Sequence, residues 1–312
     1  MSCPLCGSDD LSVISERLRR GAGNVQYCAA CDLAFLEKRE KDWDEYYKKE
    51  YWATHGPELG RKTSHRENFE SYVDYQQSRL DALGPLLTPE TRLLEVGCAA
   101  GQFLFHARDH VKEAVGVDLD KDATAVAAEL TGCKTVGAML DDAGLDKGSF
   151  DVVCAFQTLE HVPDPVAFVE MLGSYLKPGG ALAIEVPNLY DPLIALYDND
   201  AYKGFYYHSE HVLYFSRKSL ETVMNRAGFQ CEISFTQDYN FTNHMNWIHK
   251  EAPQGNCHLG LGKATLPTAP GLPEDKAAAF QSWLDGVDAS YKQFLADHEL
   301  TANIFCVGRR AG

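Results

Sequence analysis

Glu95-Val96-Gly97-Cys98-Ala99-Ala100-Gly101, entered from the apolar pair Leu93-Leu94 and left through Gln102-Phe103-Leu104, is the stretch that decides the fold. An apolar strand ends on an acid, turns through small residues and opens a helix. One strand later, Val115-Gly116-Val117 ends on a second acid, Asp118. Only Gly or Ala lets a backbone pass closely beneath a ligand, and a carboxylate at the next strand tip can accept from two ribose hydroxyls. The two strand tips therefore predict an adenosine socket.

The turn also speaks to the charge of the ligand. Dinucleotide folds bring a pyrophosphate onto a helix N-terminus through Gly-x-Gly-x-x-Gly, whereas the register here is Gly97-x-Ala99-x-Gly101 with Glu95 just upstream. An acid beside the turn repels phosphate and suits a cation. S-adenosylmethionine (SAM) carries a sulfonium and an ammonium and no phosphate. Leu93 to Gly101, Asp118, Phe150-Asp151-Val152-Val153, Leu159-Glu160-His161-Val162 and Leu176-Lys177-Pro178-Gly179-Gly180 follow one another in the order of the motifs of class I SAM-dependent methyltransferases, which this chain resembles. The resemblance implies a Rossmann-like, seven-stranded α/β sheet. It also implies that Glu95 and the Gly97, Ala99, Gly101 turn face the methionine end, that Asp118 binds the ribose and that Leu119 packs on the adenine. Leu140 and Asp141 would border the adenine's other edge, and Gln157 would open onto the sulfonium.

Composition narrows the class of partner. A chain of 312 residues with 45% hydrophobic and 24% charged residues has ample core for more than one structural unit. No apolar run reaches membrane-spanning length, and Met1-Ser2-Cys3-Pro4 carries neither a basic nor an apolar leader, so no membrane partner and a cytoplasmic setting are expected. The formal charge of −16 repels a phosphate backbone, and Arg17, Arg19 and Arg20 are the one short basic group against it. Nucleic acid is excluded as the expected substrate, and a small molecule is favoured.

Four of the ten cysteines are spaced as Cys3-x-x-Cys6 and Cys28-x-x-Cys31. Each Cys-x-x-Cys turn places two thiolates on one side of a knuckle, and two knuckles complete a tetrahedron. The spacing predicts a structural, coordinatively closed zinc ribbon in a segment too small for its own core. Cys98, Cys133, Cys154, Cys231, Cys257 and Cys306 stand singly, most of them in apolar strand contexts, and read as buried small hydrophobes.

The pattern divides the chain into a ribbon over 1–40, an aromatic linker and lid helix over 41–90, a SAM-binding core over 91–237, an inserted segment over 238–300 and a final strand over 301–312. In the linker lie Trp43 to Trp52 and the loop His55-Gly56-Pro57. Ser64 with Glu67 forms a capping box, and apolar residues three and four apart predict one helix over 65–83. Core strands are expected near 92–97, 114–118, 134–138, 151–156 and 181–186, with helices near 102–110, 121–131 and 165–176. Ser216 caps a further helix, strands follow at Phe229 to Phe235 and Asn303 to Gly308, and 274–297 reads as helical. The insertion at that sheet edge would serve substrate recognition or contacts in a homodimer.

Methyl transfer is an in-line displacement in which the acceptor must be aligned and relieved of a proton, a task for a near-neutral histidine. Candidates are His161 and, in Tyr206-Tyr207-His208-Ser209-Glu210-His211, His208 and His211 with Glu210 beside them. A ribbon, a class I core, a His after the fourth strand and a Glu-His pair before the last core helix resemble the sugar methyltransferases of deoxysugar biosynthesis, over residues 3 to 236. Those acting on carbon carry a further α/β domain after the core that this chain does not reach. The expected reaction is therefore O-methylation of a sugar or nucleotide-linked sugar, with Asn240, Asn243, His244, Asn246, Trp247 and His249 available for its hydroxyls. Carbon methylation of a keto-sugar nucleotide, a zinc-ribbon rRNA methyltransferase and a non-catalytic SAM-binding module are the alternatives.

Overall fold

A computed structural model describes residues 1–37 and 63–310; the aromatic segment from Trp43 to Trp52 and the His55 loop lie outside the described residues. Strands β1 (Leu11–Leu18), β2 (Gly21–Cys28) and β3 (Leu33–Leu36) form an antiparallel meander. Its fourth strand, β9 (Leu213–Tyr214), comes from far along the chain and pairs with β3. Cys3, Leu5, Cys28, Leu33 and Phe35 belong to the same buried cluster as Leu94, Val153 and Ile184. The short meander thus completes its core with residues it does not itself supply.

The main sheet has seven strands, β4 (Arg92–Val96), β5 (Glu113–Asp118), β6 (Lys134–Gly137), β7 (Phe150–Phe156), β8 (Leu176–Pro187), β10 (Phe229–Thr236) and β11 (Asn303–Arg310), in the order β10-β11-β8-β7-β4-β5-β6. β11 runs antiparallel to both of its neighbours; the others are parallel. Leu93, Leu94, Val153, Cys154 and Ile184 are buried, because a parallel sheet is covered on both faces by its crossover helices. Those helices are α3 (Gln102–Ala107), α4 (Lys121–Thr131), α5 (Pro165–Ser174) and α8 (Arg217–Arg226), with α1 (His65–Tyr72) and α2 (Gln77–Leu83) ahead of the sheet. Asp120 caps α4 by accepting from the N–H groups of Asp122 and Ala123, and Gly132 at φ +69° ends it.

Two expectations need correction. The single helix over 65–83 is broken: α1 and α2 are separated by a 3₁₀ turn, Val73–Tyr75, and by Gln76 at φ −107°, ψ 1°. Two carbonyls of the break are taken by side chains, Val73 O by His106 Nε2 at 2.8 Å and Tyr72 O by Gln76 Nε2 at 2.8 Å, which replaces continuous helical pairing. β8 starts at Leu176, paired with Phe150, well before the expected Ala181, because a register shift between Phe150 and Val152 absorbs the Gly179-Gly180 turn. The polar-aromatic stretch after Tyr239 is a helix, α9 (Phe241–Lys250), whose cap Asn240 accepts from the Asn243 N–H. Short helices α6 (Pro192–Ala195), α7 (Asp200–Tyr206) and α10 (His258–Leu261) also flank the cleft, and α11 (Glu274–Asp297) is helical as expected.

Candidate active site

A cleft of ≈ 790 Å³ opens at the carboxyl ends of β4, β5 and β7, where crossovers in an open α/β sheet leave a crevice. Glu95, Gly97, Ala99, Asp118, Leu119, Leu140 and Gln157 all line it. Gly97 (φ +81°) and Gly101 (φ +86°) occupy the left-handed region, and a Cβ on Gly97 would run into the Thr158 hydroxyl. Gly101 has its role in packing: a Cβ there would stand 3.0 Å from that of Ala127 on α4. Ala99 holds φ +47° despite its Cβ, and its N–H donates to Asp118 Oδ2 at 2.8 Å. Asp118 Oδ1 accepts the Asp120 N–H at 2.9 Å, so the two carboxylate oxygens are fixed by the turn and each keeps a further lone pair. Burial raises the Asp118 carboxyl above its ordinary range, with these two backbone donors opposing.

Glu95 is 4% exposed, and its Oε2 has no hydrogen-bond partner among the described residues. Burial pushes its carboxyl up to about 8, against the field of Arg79. A buried carboxylate oxygen without a donor calls for a cation, and the ammonium of a methionine moiety supplies one. Across the cleft, Asn68 Oδ1 accepts from Gln102 Nε2 at 2.7 Å while its own Nδ2 lacks a partner among the described residues. Asn68 therefore offers the cleft a donor suited to an anionic group. The lining fits a zwitterionic, phosphate-free adenosyl ligand.

Besides Gly101, which is not on the cleft wall, two cofactor-side expectations change. Asp141 does not reach the cleft wall; it pairs with Lys147 at 3.2 Å and accepts from the Tyr175 hydroxyl at 3.2 Å, which hold it outward. Gln157 lines the cleft, but its amide is spent on Glu185 Oε1 at 2.9 Å and Asn303 Oδ1 at 3.2 Å, with its backbone at φ +51°. Glu185 also takes Arg79, Nη2 to Oε1, at 2.5 Å. This network of Arg79, Gln157 and Asn303 around the buried Glu185 joins α2, the end of β7, β8 and β11 along the cleft. Its members are far apart in sequence and carry no local motif.

The imidazoles converge. His161 sits on a 3₁₀ turn, Leu159–His161, just past β7 and lines the cleft. His211 packs edge-on against it, ring centroids 4.7 Å apart, and His208 lies 3.8 Å from His211 on the far side. Neither His208, Glu210 nor His211 is part of the cleft wall; the expectation that His211 itself meets the acceptor gives way to a position behind His161. Glu210 and His208 do touch, Nδ1 to Oε2 at 2.9 Å. His161 Nδ1 faces the Glu210 carbonyl at 2.9 Å, so that nitrogen carries the proton and Nε2 is the basic one. Glu160, fully buried, lies with Oε1 3.8 Å from Nε2 of both His161 and His211. In the sequence Glu160 is one letter of Leu159-Glu160-His161-Val162, and only its burial sets it apart.

The rest of the cleft is aromatic and polar. Tyr202, Phe205 and Trp247 pack with centroids 5.0 to 6.1 Å apart, beside Asn243, His244 and Tyr239. Burial lowers the His244 imidazole to about 4, and its Nδ1 meets the Tyr291 hydroxyl at 2.7 Å. Asn240, Asn246 and His249 are not cleft residues: Asn240 is the helix cap, Asn246 bonds the Ala252 carbonyl at 2.7 Å and His249 is exposed. Arg19 and Arg20, from the β1-β2 turn, also line the cleft, with Arg19 Nε donating to Phe205 O at 2.6 Å.

Away from the cleft, the four expected cysteines meet. Cys3 Sγ lies 3.5 Å from Cys31 Sγ and Cys6 Sγ 3.5 Å from Cys28 Sγ, and all four sulfurs fall within 4.8 Å of one another. Burial and the neighbouring thiols push Cys31 well above the ordinary thiol range. Four sulfurs this close cannot all ionise without a cation, and the donor set fits a tetrahedral metal.

Comparison with known proteins agrees with the geometry. A family profile described as a methyltransferase domain matches residues 65–232, and the chain belongs to that family. Its sheet has the class I methyltransferase fold. A ubiquinone biosynthesis O-methyltransferase of Xanthomonas oryzae pv. oryzae (strain PXO99A) is 32% identical over 145 residues, covering 44% of this chain and 56% of the relative. The chain thus spans about half the length of the curated relatives it matches. Among solved structures, a complex of the Haloferax volcanii Trm112 methyltransferase activator with a putative methyltransferase aligns over 88% of this chain and 100% of that one, at TM-score 0.52 and 15% identity. A SAM-dependent methyltransferase from Archaeoglobus fulgidus aligns over 78% and 97%, at TM-score 0.50 and 16% identity. At these identities the structures speak for the fold alone.

Proposed function

We propose that this enzyme methylates a hydroxyl of a small polar acceptor, a sugar or nucleotide-linked sugar, with His161 as general base. The observation that carries the reading is His161: it is the one imidazole of its cluster on the cleft wall, with Nδ1 committed to a carbonyl and Nε2 left basic. When bound, SAM supplies a methyl group on a sulfonium. Glu95 would neutralise its ammonium, Asn68 would donate to its carboxylate, and Asp118 would accept from its ribose. Asn243, Tyr239 and Trp247 would orient the acceptor, and the aromatic wall would exclude water from the proton transfer. Residues 1–40 would act as a structural zinc ribbon, with Cys3, Cys6, Cys28 and Cys31 as ligands, that carries Arg19 and Arg20 to the acceptor end.

A second reading, a phenolic acceptor, draws support from the curated relatives' name and from the Tyr202, Phe205, Trp247 wall. Incubation with methyl-labelled SAM and a panel of nucleotide sugars, catechols and RNA separates the readings. Label on a sugar oxygen is the expected result. Label on a catechol alone establishes the second reading, and label on carbon or RNA overturns both. Metal analysis should return one zinc per chain, lost in Cys28→Ser together with thermal stability; a metal-free chain of undiminished stability removes the ribbon.

A further inference from the structure

Glu160 has no part in the reaction as described so far, yet nothing in its surroundings explains it as scaffold. It is fully buried, and neither carboxylate oxygen has a hydrogen-bond partner among the described residues. Its backbone is accounted for, since the carbonyl accepts from the Val212 N–H at 2.9 Å. Its side chain points into the space between two imidazoles, Oε1 standing 3.8 Å from Nε2 of His161 and 3.8 Å from Nε2 of His211. With the His161 proton on Nδ1, a carboxylate oxygen there faces the lone pair of Nε2. Lone pair against lone pair is unfavourable there, and a single proton held between Glu160 and Nε2 turns the contact into attraction. A buried orphan acid aimed at the basic nitrogen of a cleft histidine is a device for holding a proton.

We propose that Glu160 is a positioning residue whose carboxyl group shares with His161 and His211 the proton that leaves the acceptor. The inference rests on His161 being the base. As the acceptor oxygen forms its bond to the methyl carbon, the pair of the broken carbon–sulfur bond stays on sulfur. The acceptor proton goes to His161 Nε2. Glu160 then balances the imidazolium, and His211, at the same distance from the same oxygen, gives the proton a second seat behind the cleft. Charged groups facing Glu160 from the packed elements are His161 on its own turn, His211 ahead of β9 with Glu210 and His208 beyond it, Glu185 on β8, which raises the carboxyl, and Arg79 on α2, which opposes. Burial is the largest influence and pushes it up to about 8, so the group can gain or lose its proton near neutrality.

The test is a histidine NMR titration on the full chain with S-adenosylhomocysteine bound, the two rings assigned through His161→Gln and His211→Gln. In the wild type, His161 and His211 should titrate as linked steps separated by more than about one pH unit. Glu160→Gln should lower the His161 midpoint by about one unit or more, and Glu160→Asp should restore part of it. Independent single steps in the wild type overturn the proposal, which keeps it exposed even if the Gln variant fails to fold. So does an unmoved midpoint in a folded Glu160→Gln chain, or a stoichiometric divalent metal beyond that of the cysteines, lost in that variant. Calorimetry with S-adenosylhomocysteine separates the levels: no binding to the wild type sinks the methyl-transfer site, whereas binding with unlinked histidines sinks only the role of Glu160.

Discussion

The two ends of the cleft are built from different kinds of chain. At the donor end, Glu95, Ala99, Asp118 and Leu140 stand at consecutive strand tips, and the turn binds its own acid through the Ala99 N–H. At the other end, Arg19, His161, Tyr202 and Trp247 come from the β1-β2 turn, a 3₁₀ turn and two helices. One end is a local consequence of a parallel sheet; the other exists only once remote segments have packed. A shared donor site with a separately assembled acceptor wall is how one fold serves many substrates.

The comparison breaks most visibly if the ends fail to respond independently. His161→Gln should reduce turnover about a hundredfold or more with the acceptor found by labelling, while calorimetric affinity for S-adenosylhomocysteine stays within about twofold. A parallel loss of affinity would mean the ends are one unit. Asp118→Ala should act in the opposite sense, weakening S-adenosylhomocysteine by about a hundredfold through the loss of charge-assisted hydrogen bonds to the ribose.

A subtler effect belongs to Glu95. The folded chain keeps its carboxyl protonated up to about 8 against an ordinary value of 4.5, so between those pH values it binds a proton the unfolded chain has released. Glu95 therefore subtracts from stability progressively as pH rises through that window, and a bound ammonium restores what is lost. Calorimetry at pH 7 in buffers of different ionisation enthalpy should show close to one proton released per S-adenosylhomocysteine bound, and none in Glu95→Gln. Proton uptake in the wild type would refute this assignment. The smallest change expected is Ala99→Gly, which relieves a left-handed Cβ and should raise stability by about 1 kcal/mol or less in thermal denaturation, with donor affinity unchanged.

The same division explains what could be read early. Strand tips, the Asp118 acid and the four-cysteine spacing are local patterns, each with a geometric reason that needs few residues. The broken helix at Val73 could not be read so, because His106, a residue of α3, takes the carbonyl. Asp141 shows the reverse error: a motif position pointed inward by analogy is held outside by Lys147 and Tyr175.

By itself the sequence determined the alternating α/β sheet, the small-residue turn between two acids and the meeting of the four cysteines, because periodicity, glycine stereochemistry and ligand spacing act within a few residues. Only the tertiary structure decided which imidazole meets the cleft, that Glu160 stands between two of them, and that the β1-β2 turn and α9 wall the side of the cleft away from the strand tips. Those outcomes depend on burial and on contacts between segments far apart along the chain, and residue order alone assigns neither.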